Sequence, residues 1–333
     1  MRTNNVLGIL FSNSFDHALP ELTALRTMGS VPFGSRYRLI DFPLSGMVNF
    51  GITKVGVVTK GNYRSLMDHL GMGKAWDLSR KNEGLMLLPP FVGAGAGGNE
   101  TRIEGLRSAG EFLANSKEEF VVMSDCNLVC NLDYRALMQE HLNSGAQLTI
   151  AYKNGVSLNT FVLRKALLER MVRECNDCGD FEHAAREISL RVHRAEITAY
   201  AKVIDNLQSY YDLNMELLQL NIQQALFDDA RPVLTKIHDD MPAIYGLHAM
   251  AKNCLVADGC HIKGEVKNSV LFRGVVIEEG ATVRNCVLMN GTYVSKDVTL
   301  DSVITDKAVT IKPGKTLMGA QNYPIYLGKK IVV

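Results

Sequence analysis

From about Asn253 onward, apolar residues recur at six-residue spacing: Val256 and Ile262; Leu271, Ile277 and Val283; Leu288, Val294 and Leu300; Ile311 and Leu317. Between them stand glycine, asparagine and small or polar residues, as in DGCHIKGEV, FRGVVIEEGATVRN and KPGKTLMG. This is the pattern of a hexapeptide β-helix, in which each step turns one apolar side chain inward and three short strands close a coil. Such a solenoid leaves end coils and faces free to stack on other subunits, so oligomerisation is expected.

The rest of the chain reads differently. Val6 to Phe11 and Lys54 to Thr59 are apolar at nearly every position, as buried strands are, and Phe42 to Asn49 between them reads as a helix after a turn around Gly34. Strand, loop, helix, strand folds by the right-handed crossover rule into a parallel pair, whose carboxyl ends are where ligands bind. Tyr63 to Leu70 and Tyr134 to Asn143 read as helices, Phe120 to Met123 and Gln147 to Tyr152 as further strands, and Leu207 to Ala225 as the helix that closes the domain. The single tryptophan, Trp76, stands in polar company and is expected to be half-buried. We place an α/β domain at residues 1–228, a linker at 229–250 and the β-helix at 251–333.

With 333 residues the chain is long enough for two domains. A net charge of +1 with both signs interspersed argues for neither nucleic acid nor an anionic membrane. No apolar stretch approaches eighteen residues and the first residues do not read as an export signal, while seven scattered cysteines suit a reducing compartment, so a cytoplasmic location is expected. Cys175 and Cys178 form a lone CxxC, better read as loop or helix-end thiols than as a zinc or redox site. Gly93, Gly95 and Gly98 satisfy GxGxxG, but Pro89 and Pro90 stand where the preceding strand should end in a tight turn, so a loop is expected.

The run PFGSRYRLIDFPLS at Pro32 to Ser45 resembles the corresponding run of bacterial ADP-glucose pyrophosphorylases, which join ATP and glucose 1-phosphate. The resemblance spans nearly the whole chain. It implies a nucleotidyltransferase-like, Rossmann-type mixed-sheet domain followed by a left-handed parallel β-helix of hexapeptide repeats. It also exposes departures. Where that family has a phosphate-cradling GGxGxRL loop after the first strand, this chain has Ser12, Asn13, Phe15 and His17 for the three glycines and the arginine, and Met28-Gly29 for a Lys-Pro pair. VVMSDCNLVCNLDY resembles the family's metal-binding strand, with Asp125, Asp133 and Tyr134 on matching positions; Asp125 either holds a cation or caps the turn.

Further on, a family segment whose lysine holds the sugar phosphate does not appear after Lys153, either absent or outside the numbered chain. Ser157 falls on a sugar-contact position, but the glycine expected two residues later is Asn159. Under the match of Ile197 to Leu220, the second metal-binding aspartate becomes Val203, with the register held by Leu207, Tyr210 and Asn214; a rival register would promote Asp205.

Phosphoryl and nucleotidyl transfer depend on close backbone approach to phosphates, fixed cations and a carboxylate-held metal. Removing one such group typically costs about 2.7–4 kcal/mol of transition-state stabilisation, and here several are gone together. The resemblance is therefore to the family's non-catalytic, GlgD-type regulatory subunits. It implies assembly with and activation of a catalytic ADP-glucose pyrophosphorylase subunit in a hetero-oligomer, expected to be a tetramer. No cofactor of its own is expected, with Mg2+ serving the catalytic partner. The alternatives are an active sugar-phosphate nucleotidyltransferase resting on Asp125 and Asp205, and a hexapeptide acyltransferase, for which His261 is the sole histidine within the repeat and the α/β domain is a counter-argument. Arg26, Arg36 and Arg38 are candidates for a small phosphorylated effector, with surface solvation the plainer role.

Overall fold

The computed structural model describes residues 5–81, 83–89, 101–174 and 181–333. The GxGxxG glycines and the CxxC pair lie outside the described residues.

Seven strands form a mixed sheet: β1 (Val6–Phe11), β2 (Lys54–Val58), β3 (Gly84–Leu88), β4 (Phe120–Asp125), β5 (Leu148–Lys153), β6 (Val156–Arg164) and β7 (Val192–Glu196). Their spatial order is β7-β5-β6-β4-β1-β2-β3. β1 lies inside the sheet beside the central β4, parallel to it and to β2, with Phe11 opposite both Val58 and Asp125. All six residues of β1 and of β4 are buried, which is why both read as unbroken apolar or small runs rather than alternating ones. The antiparallel pair β5 and β6 is joined by Asn154 and Gly155 alone, both at positive φ, the two-residue hairpin in which asparagine-glycine is favoured. No lysine-bearing segment intervenes there.

The helix Asp41–Phe50 packs its buried face on β1, ending at Gly51 with φ 98°. Trp76 is fully buried rather than half-buried: its ring meets the edge of His69, itself paired with buried Asp41 at 2.6 Å, so the polar residues flanking Trp76 in sequence turn outward from it.

The solenoid consists of parallel short strands throughout. Leu271 stacks under Leu288, Ile277 under Val294 and Val283 under Leu300, a coil of seventeen residues rather than three full hexapeptides. The shortened corner carries Asn253, Asn268, Asn285 and Ser302, each in the left-handed region, which a short polar side chain tolerates better than an apolar one. Asn253, Asn268 and Asn285 hydrogen-bond one to the next through their side chains, and Asn285 continues to Asp301. Cys260 and Cys286 are buried among the inward apolar residues, and His261 faces solvent.

One flank of the solenoid is not free. Val270, Phe272, Val287, Met289 and Ile304 form a single apolar cluster with Leu19, Leu22, Met28, Phe33 and Tyr210 of the first domain. The helix Leu207–Glu216 clamps the PFG run from behind: the Tyr210 hydroxyl donates to the Pro32 carbonyl at 2.7 Å, and the Gly34 amide donates to Asn214 Oδ1 at 3.1 Å.

Candidate functional site

The carboxyl ends of β1, β2 and β4 bring together the residues between Ser12 and Asp16, Lys60 to Asn62, and Asp125. In place of an open glycine turn, this chain has a loop tied down by its own side chains. Ser12 Oγ donates to the Val58 carbonyl at 2.9 Å, and Asn13 Oδ1 accepts the Lys60 amide at 2.8 Å. Asn13 Nδ2 donates to Asp16 Oδ2 at 2.6 Å and to Asn62 Oδ1 at 2.9 Å. The loop then closes as a 3-10 turn, Asp16–Ala18, with Asp16 Oδ1 accepting the Met28 amide at 2.7 Å. Asp16 places a carboxylate where a phosphate-binding loop needs donors. Burial raises its pKa, partly offset by the hydrogen bond from Asn13. His17 is exposed and Phe15 half-buried, their rings 6.0 Å apart. The Met28 side chain is turned away from this site, since it is buried in the junction with the solenoid.

Asp125 is fully buried at the end of β4, and its partner is Arg102. Arg102 Nε and Nη2 both reach Asp125 Oδ2, at 2.8 and 2.7 Å. Nη2 also donates to Asn159 Oδ1 at 3.0 Å. The guanidinium lies 5.5 Å from the ring centroids of both Phe15 and Phe161. Asn159 is presented by an irregularity in the β5–β6 ladder, where Ile150 pairs with Phe161 but Tyr152 pairs with Ser157; its φ is 50°. Ser157 Oγ accepts the Asn159 amide at 3.3 Å, so it shapes this bulge. Thus Phe15, Asn159 and Asp125, each substituted or ambiguous in sequence, converge on one buried cation supplied by the chain itself.

Sequence reasoning missed Arg102 and Asp16. A signal for Arg102 was present: Thr101 and Glu104 form a capping box, which fixes Thr101 as the N-cap and Arg102 as the first helical residue.

Val203 lies in a short strand opposite Leu128 and packs its side chain against the core, while Asp205 is exposed and accepts from Asn206 Nδ2. Asp133 caps the following helix through Oδ1 and lies 3.5 Å from Arg231. Among the described residues no three His, Cys, Asp or Glu side chains are placed to hold a metal ion. A divalent cation does not fit this arrangement, because the Asp125 carboxylate is occupied by a guanidinium and the second matching position, Val203, is an apolar side chain.

A second cluster lies between the PFG turn and the solenoid. A cleft of about 350 Å³ is lined by Arg36, Tyr37, Arg38, His238, Asp240, Arg273 and Lys307, among others. Burial and the nearby Arg38 and Arg26 push the Lys307 ammonium down to about 7, and burial brings Arg38 to about 10. Arg38 also donates to the Ser30 carbonyl and to Ser65 Oγ. Arg26, expected at the surface, is buried outside this cleft and paired with Asp306 of the solenoid at 2.6 Å. The reason is geometric: the solenoid covers the stretch that Arg26 occupies.

A mixed-sheet α/β domain with a modified nucleotide loop, continued by hexapeptide coils, defines a protein of nucleotidyltransferase fold carrying a hexapeptide domain. Family models agree: one described as "Nucleotidyl transferase" matches residues 18–157, and one described as "GlmU-like, C-terminal hexapeptide" matches residues 241–322, which makes the solenoid a left-handed β-helix. The chain is 36% identical to glycogen biosynthesis protein GlgD of Bacillus subtilis (strain 168), over 100% of this chain and 98% of that one. The GlgD of Geobacillus stearothermophilus is 36% identical over 84% of this chain and 83% of its own. A glucose-1-phosphate adenylyltransferase of Bacillus cytotoxicus is 25% identical over 97% of each. The chain belongs to the GlgD family of glycogen biosynthesis proteins, which is related to the glucose-1-phosphate adenylyltransferases. No helix among the described residues is long and apolar enough to cross a membrane.

Proposed function

We propose that this chain is the non-catalytic regulatory subunit of a cytoplasmic ADP-glucose pyrophosphorylase, joining a catalytic adenylyltransferase subunit in a hetero-oligomer of four chains and raising its activity. One observation carries the reading: Arg102 occupies the carboxylate that a metal-nucleotide would need, inside a loop that presents Asp16 rather than free donors. Mg2+ then serves the partner's active site. The test is ADP-glucose formation by this chain alone, by the adenylyltransferase of the same genome alone, and by the two mixed. The expected result is no turnover alone and a several-fold rise over the adenylyltransferase on mixing; turnover by this chain alone would overturn the reading.

The basic cleft supports a phosphorylated effector as the regulatory signal. Four cationic side chains and His238 line it against the single carboxylate of Asp240, 3.6 Å from Arg273. Lys307 is charged below about pH 7 and neutral above it. Sulfate, whose charge is constant over this range, is expected to bind more weakly as pH rises from 6 to 9, and Lys307→Met is expected to weaken binding at pH 6 and remove most of that dependence, leaving the part due to His238, which burial holds below its usual range. The unfolded chain keeps this lysine protonated to about pH 10.4, so between pH 7 and 10 the unfolded state binds the extra proton and stability rises with pH. Denaturant titrations of both proteins across that range check the sign, since Lys307→Met removes the rise.

A further inference from the structure

Apart from the basic cleft, a groove of about 390 Å³ lies between the helix Leu207–Glu216 and one corner of the solenoid. One side of it is the asparagine row: Asn253, Asn268 and Asn285, one from each of three successive coils. Neighbouring strands lie about 4.8 Å apart, so the amides repeat along the groove at that step. Positive φ does not itself call for an amide here, since buried Ser302 takes the same corner one coil further on, where the groove has ended. Each amide carries two N–H groups and an oxygen with two acceptor positions. The row uses one N–H of each, from Asn253 to Asn268, from Asn268 to Asn285 and from Asn285 to Asp301. The remaining N–H groups and Asn253 Oδ1 are left for an outside partner. Across from them, Met215 and Leu218 are half-buried, and buried Tyr211 donates to the Asn285 carbonyl at 2.7 Å, which pins the row to the helix. Exposed Asp212 accepts from Gln208 through Oδ1 at 2.7 Å and has Oδ2 to spare. Glu216 is already engaged by the Tyr200 hydroxyl and, 3.5 Å away, by Lys202.

The volume falls in the range of about 300–1,000 Å³ usual for ligand sites, and the lining excludes most ligand classes. Two carboxylates and, among the described residues, no lining lysine or arginine repel a phosphate. A purely apolar ligand would leave the amides without partners, which costs more than it gains. An extended peptide binds by adding to a strand edge, whereas the groove presents corner side chains of strands already paired, Glu265–Leu271 lying between Met250–Val256 and Thr282–Arg284. What remains is a neutral ligand rich in hydroxyl groups, each able to accept from an amide and donate to a carboxylate, with C–H faces to lie on Met215 and Leu218. Like donors at a regular step suit a chain of repeating sugar rings better than a single ring. We infer that this groove binds a neutral sugar chain, and membership of a family of glycogen biosynthesis proteins selects an α-linked glucan as that chain. Such binding does not depend on the regulatory-subunit reading.

The test is calorimetric titration of the full chain with maltoheptaose, together with its retardation in native gels that contain glycogen. Wild type is expected to bind maltoheptaose at millimolar concentration and to be retarded. Asn253→Gly with Asn268→Gly removes two amides, while glycine adopts the φ of 53° and 47° found there without strain. That variant is expected to bind at least about tenfold more weakly, as loss of two hydrogen-bonding side chains does, and to lose its retardation. Circular dichroism and the thermal midpoint check its fold. Should it not fold, Asp212→Ala, a change at an exposed helical position, is expected to weaken binding about threefold. Absence of binding by wild type would overturn the inference, as would equal binding by wild type and the folded variants. Tighter binding of cellohexaose than of maltoheptaose would overturn the assignment to an α-linked chain. Neither measurement involves the adenylyltransferase, so a failure here leaves the regulatory reading standing.

Discussion

Arg102→Ala is expected to destabilise the chain by about 3–5 kcal/mol, the usual cost of stranding one member of a buried ion pair. Asp125 is fully buried, and the guanidinium is its cation. Taking it away leaves a carboxylate in low dielectric among Phe15 and Phe161, which stack on the same group. Urea unfolding checks this as a fall in the midpoint without a large change of slope. The comparison that isolates the pair is a double variant, Arg102→Met with Asp125→Leu, expected to lie near wild type, because replacing both partners by apolar groups removes the desolvation cost along with the attraction. Arg102→Ala showing an unchanged midpoint would mean that the pair is not what holds the loop. Opening the site in this way is not expected to create adenylyltransferase activity: Val203 still packs apolar against the core and Asp16 still faces the loop.

The same contrast explains what could be read without coordinates. β1, β2 and β4 were legible because a strand buried on both faces needs apolar side chains everywhere, and the solenoid because stacking demands an inward residue at a fixed interval. The five-residue step was less visible. It depends on asparagine or serine accepting positive φ at Asn268, Asn285 and Ser302, a backbone matter that the apolar spacing records only indirectly. At the altered loop, sequence showed which groups were missing but not what replaced them. Asn13 and Asp16 knit the loop, and Arg102 arrives from a helix that a capping box announces but whose direction only the fold decides. Arg26 and Trp76 show the general limit. A charged or amphipathic side chain in polar company reads as exposed, and its burial depends on a partner far away in sequence.

For Arg26 that partner is Asp306, 280 residues on, and the pair is the second place where a large effect is expected. Arg26 Nη2 meets both carboxylate oxygens, at 2.7 and 2.6 Å, and both side chains are almost wholly buried between the domains. The same carboxylate accepts the Lys307 amide at 2.6 Å and lies 3.4 Å from the Tyr326 hydroxyl, which itself donates to the Glu21 carbonyl. Asp306 therefore ties a first-domain arginine, a solenoid corner and the carboxyl-terminal strand into one polar node beside the apolar cluster of Met28, Phe272 and Met289. Asp306→Ala leaves the Arg26 guanidinium buried without its counter-ion and is expected to cost about 3–5 kcal/mol. The apolar cluster persists in that variant, so unfolding is expected to stay a single transition at a lower midpoint. Two separated transitions by circular dichroism and tryptophan fluorescence, with the Trp76 signal unmoved, would show instead that the ion pair alone couples the domains. Because the basic cleft is lined from both sides of this junction, Arg36 and Arg38 from one domain and Arg273 and Lys307 from the other, holding the two together is also what keeps its cations facing one another.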